Sequence, residues 1–160
     1  MNIRRAEKKD IPMLMELLRQ VHGVHFDIRP DIFKPTTTKY SSAELDEILR
    51  DPARPILVAA DDGDNVLGYA FCVFKQAVND LLLTDIKTLY IDDLCIDKHH
   101  RGEHIGTALY NAVLALAKET GCYNVTLNVW CGNDSAMEFY RAKGLKPQRI
   151  FMEHILEDEE

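Results

Sequence analysis

Two neighbouring carboxylates, Asp92 and Asp93, break an otherwise apolar run, Leu89-Tyr90-Ile91-Asp92-Asp93-Leu94-Cys95-Ile96. A carboxylate buried without a partner is costly, so acids in such a row point to a site rather than a core. The chemistry open to them is acceptance of a proton or retention of a cation. In a regular strand consecutive side chains leave opposite faces. Leu89, Ile91, Asp93 and Cys95 then share one face, and Tyr90, Asp92, Leu94 and Ile96 the other. Both acids reach one site only if the strand bulges. Directly downstream, after Asp97-Lys98-His99-His100, comes Arg101-Gly102-Glu103-His104-Ile105-Gly106-Thr107-Ala108-Leu109. Here a strand runs into a turn with two glycines, and the turn opens a helix. The first turn of a helix leaves backbone N–H groups unpaired and carries partial positive charge, which suits a phosphate or pyrophosphate. Gly102 and Gly106 let the backbone approach such an anion, and Arg101 adds charge.

The elements that must position these residues follow from periodicity and caps. Asn2 to Ala6 reads as a strand. Asp10 and Pro12 start a helix with Ile11, Leu14, Leu17, Leu18 and Val21 on one face, and Gly23 is expected to end it. From His22 to Tyr40 no period is visible, and Pro30 and Pro35 interrupt it; a loop of this length suits a lid over a binding site. Ser41 and Glu44 form a capping box for a second helix, which Asp51-Pro52 stops. Pro55 to Ala60 and Val66 to Lys75 read as a hairpin around Asp61–Asn65, with a bulge expected near Gly68. A strand follows, present by Leu89, and then an amphipathic helix from His104 to Glu119, ended near Gly121. Tyr123 to Trp130 is β-rich. Asn133 or Asp134 caps a last helix to Lys143, and Leu145 to Leu156 is expected to return as a strand or hairpin. This order predicts an α/β fold with one mixed sheet covered by helices on both faces.

Arg101-Gly102-x-x-Ile105-Gly106 between a strand and an amphipathic helix resembles the acetyl-CoA signature of the Gcn5-related N-acetyltransferases. Their pattern is (Gln/Arg)-x-x-Gly-x-(Gly/Ala); Arg101 and Gly106 match it, and His104 stands where a glycine is usual. Asn133-Asp134-Ser135-Ala136-Met137-Glu138-Phe139-Tyr140, followed by Arg141-Ala142-Lys143-Gly144-Leu145, is similar to a second segment of that family. The resemblance spans roughly residues 54 to 151. It implies the family's fold, with a mostly antiparallel central sheet, and transfer of acetyl from acetyl-CoA to a primary amine. It implies Tyr140 as the acid that protonates the leaving thiolate. It places the cosubstrate on Leu94, Cys95, Ile96, Arg101, Gly102, Glu103, His104, Ile105, Gly106, Thr107 and Asn133. Tyr-Ile-Asp-Asp-Leu is further similar to the Leu-Glu-Asp-Ile segment of spermidine/spermine acetyltransferases. That analogy makes Asp92 the base and sets Asp93, with Tyr90 and His25, on the substrate. Asn133 also reads as a plain helix cap, Tyr140 as a core tyrosine, and each Asp as half of an ion pair. A non-catalytic acyl-CoA-binding module and a peptide acetyltransferase are the competing functions.

Composition limits the alternatives. The 160 residues fit one domain, expected over 1–156, with an acidic tail at 157–160. With 26 acidic against 19 basic residues and a net charge of -7, a nucleic-acid partner is not expected. That charge says little about a cationic substrate, because four of the acids are Glu157 to Glu160 and three more lie in Asp61–Asp64. No apolar run approaches a membrane span, and no export signal is expected from MNIRRAEKKD. Cys72, Cys95, Cys122 and Cys131 lack metal or redox spacing and read as reduced thiols of a cytoplasmic protein. Cys95 has no activating neighbour in sequence, so no covalent acyl step is assigned to it. His99, His100 and His104 lack ligand spacing on one element, so no metal is assigned. A small-molecule amine is the expected partner, and a homodimer is compatible with the resemblance.

Overall fold

The computed structural model describes residues 1–156; the acidic tail expected at 157–160 lies outside the described residues. Strand β1 (Asn2–Arg5) leads through a single turn into helix α1 (Ile11–Ile28) and then helix α2 (Ser42–Arg50). Strands β2 (Ile56–Ala60), β3 (Val66–Gln76) and β4 (Lys87–Ile96) follow, then α3 (Ile105–Glu119), β5 (Asn124–Leu127) and α4 (Asp134–Ala142). The five strands lie in the order β1-β2-β3-β4-β5. The first four pair antiparallel and β4 pairs with β5 in parallel. The mixed, mostly antiparallel sheet is as expected.

The sheet separates two cores. Leu14, Leu17 and Leu18 of α1 and Leu45 and Ile48 of α2 pack on Ile56, Val58, Tyr69, Phe71 and Cys95. Ile105, Leu109 and Val113 of α3 cover the other face, against Leu57, Ala59, Ala70, Cys72, Leu89 and Ile91, with Phe139 and Tyr140 of α4 at their edge. β2 is buried along its whole length because helices cover it on both sides. Burying each of these aliphatic side chains contributes about 1.5–3 kcal/mol.

Two expected elements differ. Helix α1 does not stop at Gly23 but continues to Ile28, so His22 and His25 are helical. Gly23 does not adopt the left-handed conformation that ends helices. The stop comes at Arg29, whose backbone is pushed out of the helical region by the following Pro30. The lid therefore begins only after Ile28. The return strand over Leu145–Leu156 does not form: these residues pair with no strand, and Phe151 is 99% exposed. Its apolar residues suit a strand, but a strand needs a partner edge. The capping box at Ser41 and Glu44 forms as read, and β3 bulges beside Gly68, between Ala59 and Ala60 of its partner.

Candidate active site

Strand β4 bulges at Asp92. Phe71 pairs with Asp93 and the next residue, Cys72, pairs with Ile91, so Asp92 is the extra residue. A bulge shifts the side-chain phase by one. The expected alternation is thereby corrected: Leu89 and Ile91 face α3, whereas Asp93 joins Cys95, Phe71 and Tyr69 on the α1/α2 face. The shift turns both acids towards one group of aromatic rings. The Tyr69 hydroxyl donates to Asp93 Oδ2 at 2.9 Å. The Tyr40 hydroxyl donates to Asp92 Oδ2 at 2.7 Å. Phe71 lies between them, edge-on to Tyr69 at 4.7 Å and stacked with Tyr40 at 5.8 Å. Burial pushes Asp93 up to about 6, against the Tyr69 hydrogen bond and the Lys39 charge, with Asp92's charge adding to the rise.

The lid supplies the outer wall. Lys39 Nζ lies 2.9 Å from Asp92 Oδ1 and also donates to the Asp92 carbonyl at 3.3 Å. Arg54 donates to the Tyr40 hydroxyl at 3.1 Å. His25, at the end of α1, stacks on Phe33 at 5.5 Å, and Phe33 meets Trp130 edge-on at 5.3 Å. Burial, followed by the charges of Lys39 and His22, lowers the His25 pKa and so favours its neutral ring. Tyr90 sits in the paired part of the sheet: Asn128 donates to its hydroxyl at 3.0 Å, and Lys75 Nζ covers its ring at 3.7 Å.

Next to the bulge the sheet opens. β5 pairs with β4 only from Thr88 to Ile91, so Asp92 to Ile96 has β3 on one side and, among the described residues, no strand on the other. Its backbone groups there are free to pair with an extended ligand. Leu94 and Ile96 turn their side chains to the α3 core, while Cys95 turns to α1, its Sγ 3.5 Å from the Leu17 carbonyl. Burial pushes the Cys95 thiol up to about 12, which removes it as a nucleophile at neutral pH. Gly68 allows β3 to approach here: a Cβ on it would lie 2.7 Å from Ile96 Cδ1 and 2.8 Å from the Cys95 carbonyl.

The opening leads to a cleft of about 260 Å³ lined by Ile96, Arg101, Gly102, His104, Gly106 and Phe139, among others. α3 starts at its rim. The first bond within this helix runs from the Ala108 N–H to the His104 carbonyl, and no side chain caps the end. The N–H groups of the first turn are thus available to an anion. His104 holds the left-handed conformation (φ 61°, ψ 13°) that a glycine would take without strain. Gly102 also has positive φ, at 82°, and beside it Arg101 is exposed. Glu103 pairs loosely with His100 at 3.4 Å. These residues fit a pyrophosphate-bearing ligand: a charged side chain, free donors and open space where a larger residue would intrude.

Tyr140 projects from α4 into the core on the α3 face, near Phe139 (5.2 Å) and Tyr110 (6.4 Å). Its hydroxyl makes no hydrogen bond among the described residues. Burial, with the charge of Asp93 next, raises its pKa well above that of an ordinary tyrosine, so it carries its proton. Asn133 caps α4 by accepting from the Ala136 N–H at 3.4 Å, as the plain reading of that position has it.

Residues 18–145 match the model of the acetyltransferase (GNAT) family. The chain belongs to that family. An N-acetyltransferase of Mycobacterium tuberculosis, itself uncharacterized, is 34% identical over 106 residues, 66% of this chain. The match covers 62% of that protein, so the chain spans about three fifths of the length of such curated relatives. Thialysine N-epsilon-acetyltransferase of Bos taurus is 26% identical across 89% of this chain and 82% of its own. Among solved structures, a mutant of the BH1408 protein of Bacillus halodurans superposes with a TM-score of 0.93 at 29% identity, covering 98% of this chain and 99% of that one.

Within this GNAT domain the structure brings Asp92 and Asp93 to one wall, and Ile96, Arg101, Gly102, His104, Ile105, Gly106 and Thr107 to one cleft, while His25 packs on Phe33 and is linked to that wall only by the nearby charge of Lys39. Among the described residues no side-chain hydrogen bond joins Tyr90 to either aspartate; its hydroxyl is held by Asn128 instead. Sequence reasoning missed Lys39, Tyr40, Arg54 and Tyr69. Tyr69 carried a faint signal, as a polar tip in a buried strand. The other three sit in or after an aperiodic segment whose sequence contains nothing that predicts where it will fold back.

Proposed function

We propose that this chain transfers an acetyl group from acetyl-CoA to a primary amine. The observation that carries the reading is the bulge, which sets two carboxylates beside an unpaired strand edge that leads to the cleft at the uncapped start of α3. The turn from Arg101 to Thr107 would hold the pyrophosphate, and Leu94, Cys95 and Ile96 would pair with the extended arm of the cosubstrate.

An alkylammonium has a reference pKa near 10.4, so freeing its lone pair at neutral pH costs about 4.6 kcal/mol. Asp92 meets the ammonium and takes its proton, directly or through water. Asp93, held near neutrality by burial, completes a coupled pair whose charge attracts the cation. Tyr140, still protonated, delivers its proton to the departing thiolate. The support for a small amine is the covering of the aspartates by Lys39, Tyr40 and Tyr69, together with the ε-amine in the name of the bovine relative. A single domain over 1–156 accommodates all of these residues. The exposed apolar side chains of Phe151, Met152 and Leu156 support a homodimer.

The test is release of free thiol from acetyl-CoA with a panel of polyamines, lysine analogues, aminoglycosides and peptides, each product identified by mass spectrometry. Turnover on small alkylamines, reduced in Tyr140→Phe, is the expected result. Tight cosubstrate binding with no turnover on any amine, unchanged in Tyr140→Phe, would identify a binding module instead.

A further inference from the structure

The place where the proposed acceptor amine belongs already holds an amine of the same chain. Lys39 Nζ is 2.9 Å from Asp92 Oδ1 and 3.3 Å from the Asp92 carbonyl, at the bulge where the sheet opens. It arrives there on the lid, at a point where the chain is not part of a helix or strand, and its side chain is 43% exposed. It is therefore neither sealed in nor held by regular structure. Tyr40, the next residue, anchors the lid by donating to the other oxygen of Asp92. The nearby positive charge of Lys39 opposes the rise of the Asp93 pKa and helps lower that of His25, which places it among the groups assigned to the substrate.

We propose that Lys39 is an internal acceptor, and that the protein acetylates its own Lys39 Nζ when no external amine competes. This inference rests on the acetyl-transfer reading above. Asp92 accepts a proton from the Lys39 ammonium, and the freed lone pair attacks the thioester carbonyl carbon. The new C–N bond forms as the C–S bond breaks; the departing thiolate takes the Tyr140 proton, the nitrogen releases its remaining extra proton to water, and water restores the proton on Tyr140. The products are Nε-acetyl-lysine and free coenzyme A, with no change of oxidation state. Holding the amine beside the base removes the need to capture a second molecule, the advantage that effective molarity describes. Acetylation removes the charge of Lys39 and its ion pair with Asp92. The lid then loses one of its two ties to the Asp92 carboxylate, and Tyr40 keeps the other. A cationic amine that binds Asp92 must displace Lys39, so acceptor binding and self-modification exclude each other.

The experiment incubates the full chain with acetyl-CoA and no added amine, then maps acetylated lysines by peptide mass spectrometry. Lys39 should be labelled at least about tenfold faster than the exposed Lys118 and Lys146. The fractional rate should not depend on protein concentration, since the reaction is within one chain. Asp92→Asn should slow labelling of Lys39 without changing that of Lys118. Lys39→Arg should leave no label at that position. An added alkyl diamine that is turned over should slow Lys39 labelling in step with its own acetylation. Equal labelling of all exposed lysines overturns the inference, as does thiol release with external amines when Lys39 stays unmodified in the incubation without amine; in that second case the acetyl-transfer reading stands alone. Labelling of Lys39 with no external amine accepted sustains the inference and refutes only the small-amine acceptor. Absence of both overturns both.

Discussion

Tyr140 and Asp93 are each held where their charged forms are disfavoured, and each bears a consequence that a single substitution reads. The Tyr140 hydroxyl has no protein partner, so Tyr140→Phe should leave stability within about 0.5 kcal/mol of the parent. The same change should lower kcat by about 10²–10⁴, the usual worth of a positioned acid. Thermal denaturation beside steady-state kinetics separates the two. Asp93 titrates near 6 in the folded chain because burial disfavours its carboxylate, against about 3.9 in an unfolded one. Between these values the native state binds the extra proton, so stability falls as pH rises from about 4 through 6. Asp93→Asn should therefore stabilise the protein by about 1–3 kcal/mol at pH 8 and give no such gain at pH 4, as measured by urea unfolding. It should also abolish the limb of kcat/KM that climbs through pH 6. A change that raises stability while removing activity is what a site residue predicts, and a core residue would not show it.

At the scale of elements, the site depends on where strands and helices are made irregular. The bulge at Asp92 re-aims a strand, and the close approach of Gly68 sets the height of its unpaired half. Gly68→Ala would drive a methyl into the Cys95 carbonyl and Ile96. It should cost about 1–3 kcal/mol and weaken acetyl-CoA binding, which calorimetric titration would measure, because the displaced backbone is the one assigned to the cosubstrate. The start of α3 contains a second irregularity. His104 holds a left-handed backbone that costs a non-glycine residue about 1–2 kcal/mol. His104→Gly should thus fold with a Tm equal to or above that of the parent and bind acetyl-CoA as well, since only the backbone N–H is engaged. His104→Val should lower stability by about 1–3 kcal/mol, because a β-branched residue tolerates that conformation least. Equal stabilities for both variants would contradict the backbone account.

For the whole molecule, the order of elements along the chain and a mixed sheet covered on both faces were legible because they rest on local signals. Buried leucines at helical spacing, the Ser41–Glu44 box and an unbroken apolar β2 each fix an element within a few residues. The segment from Leu145 to Leu156 carries the composition of a strand and does not form one, and its large apolar side chains from Ile150 onward remain in solvent. If they mediate the proposed dimer, the double variant Phe151→Glu, Ile155→Glu should weaken self-association at least about tenfold in sedimentation, with no loss of monomer stability. A parent protein that is monomeric at all concentrations would remove that role. What the sequence by itself determined was the strand, glycine turn and helix around the uncapped start of α3, because these need only neighbours along the chain. Only the tertiary structure decided that Asp92 and Asp93 share a face, and that Lys39, Tyr40 and Arg54 converge on them. Register across strands and the path of an aperiodic lid are set by contacts between residues far apart in sequence, such as Phe71 with Asp93 and Tyr40 with Asp92, and no local pattern encodes those.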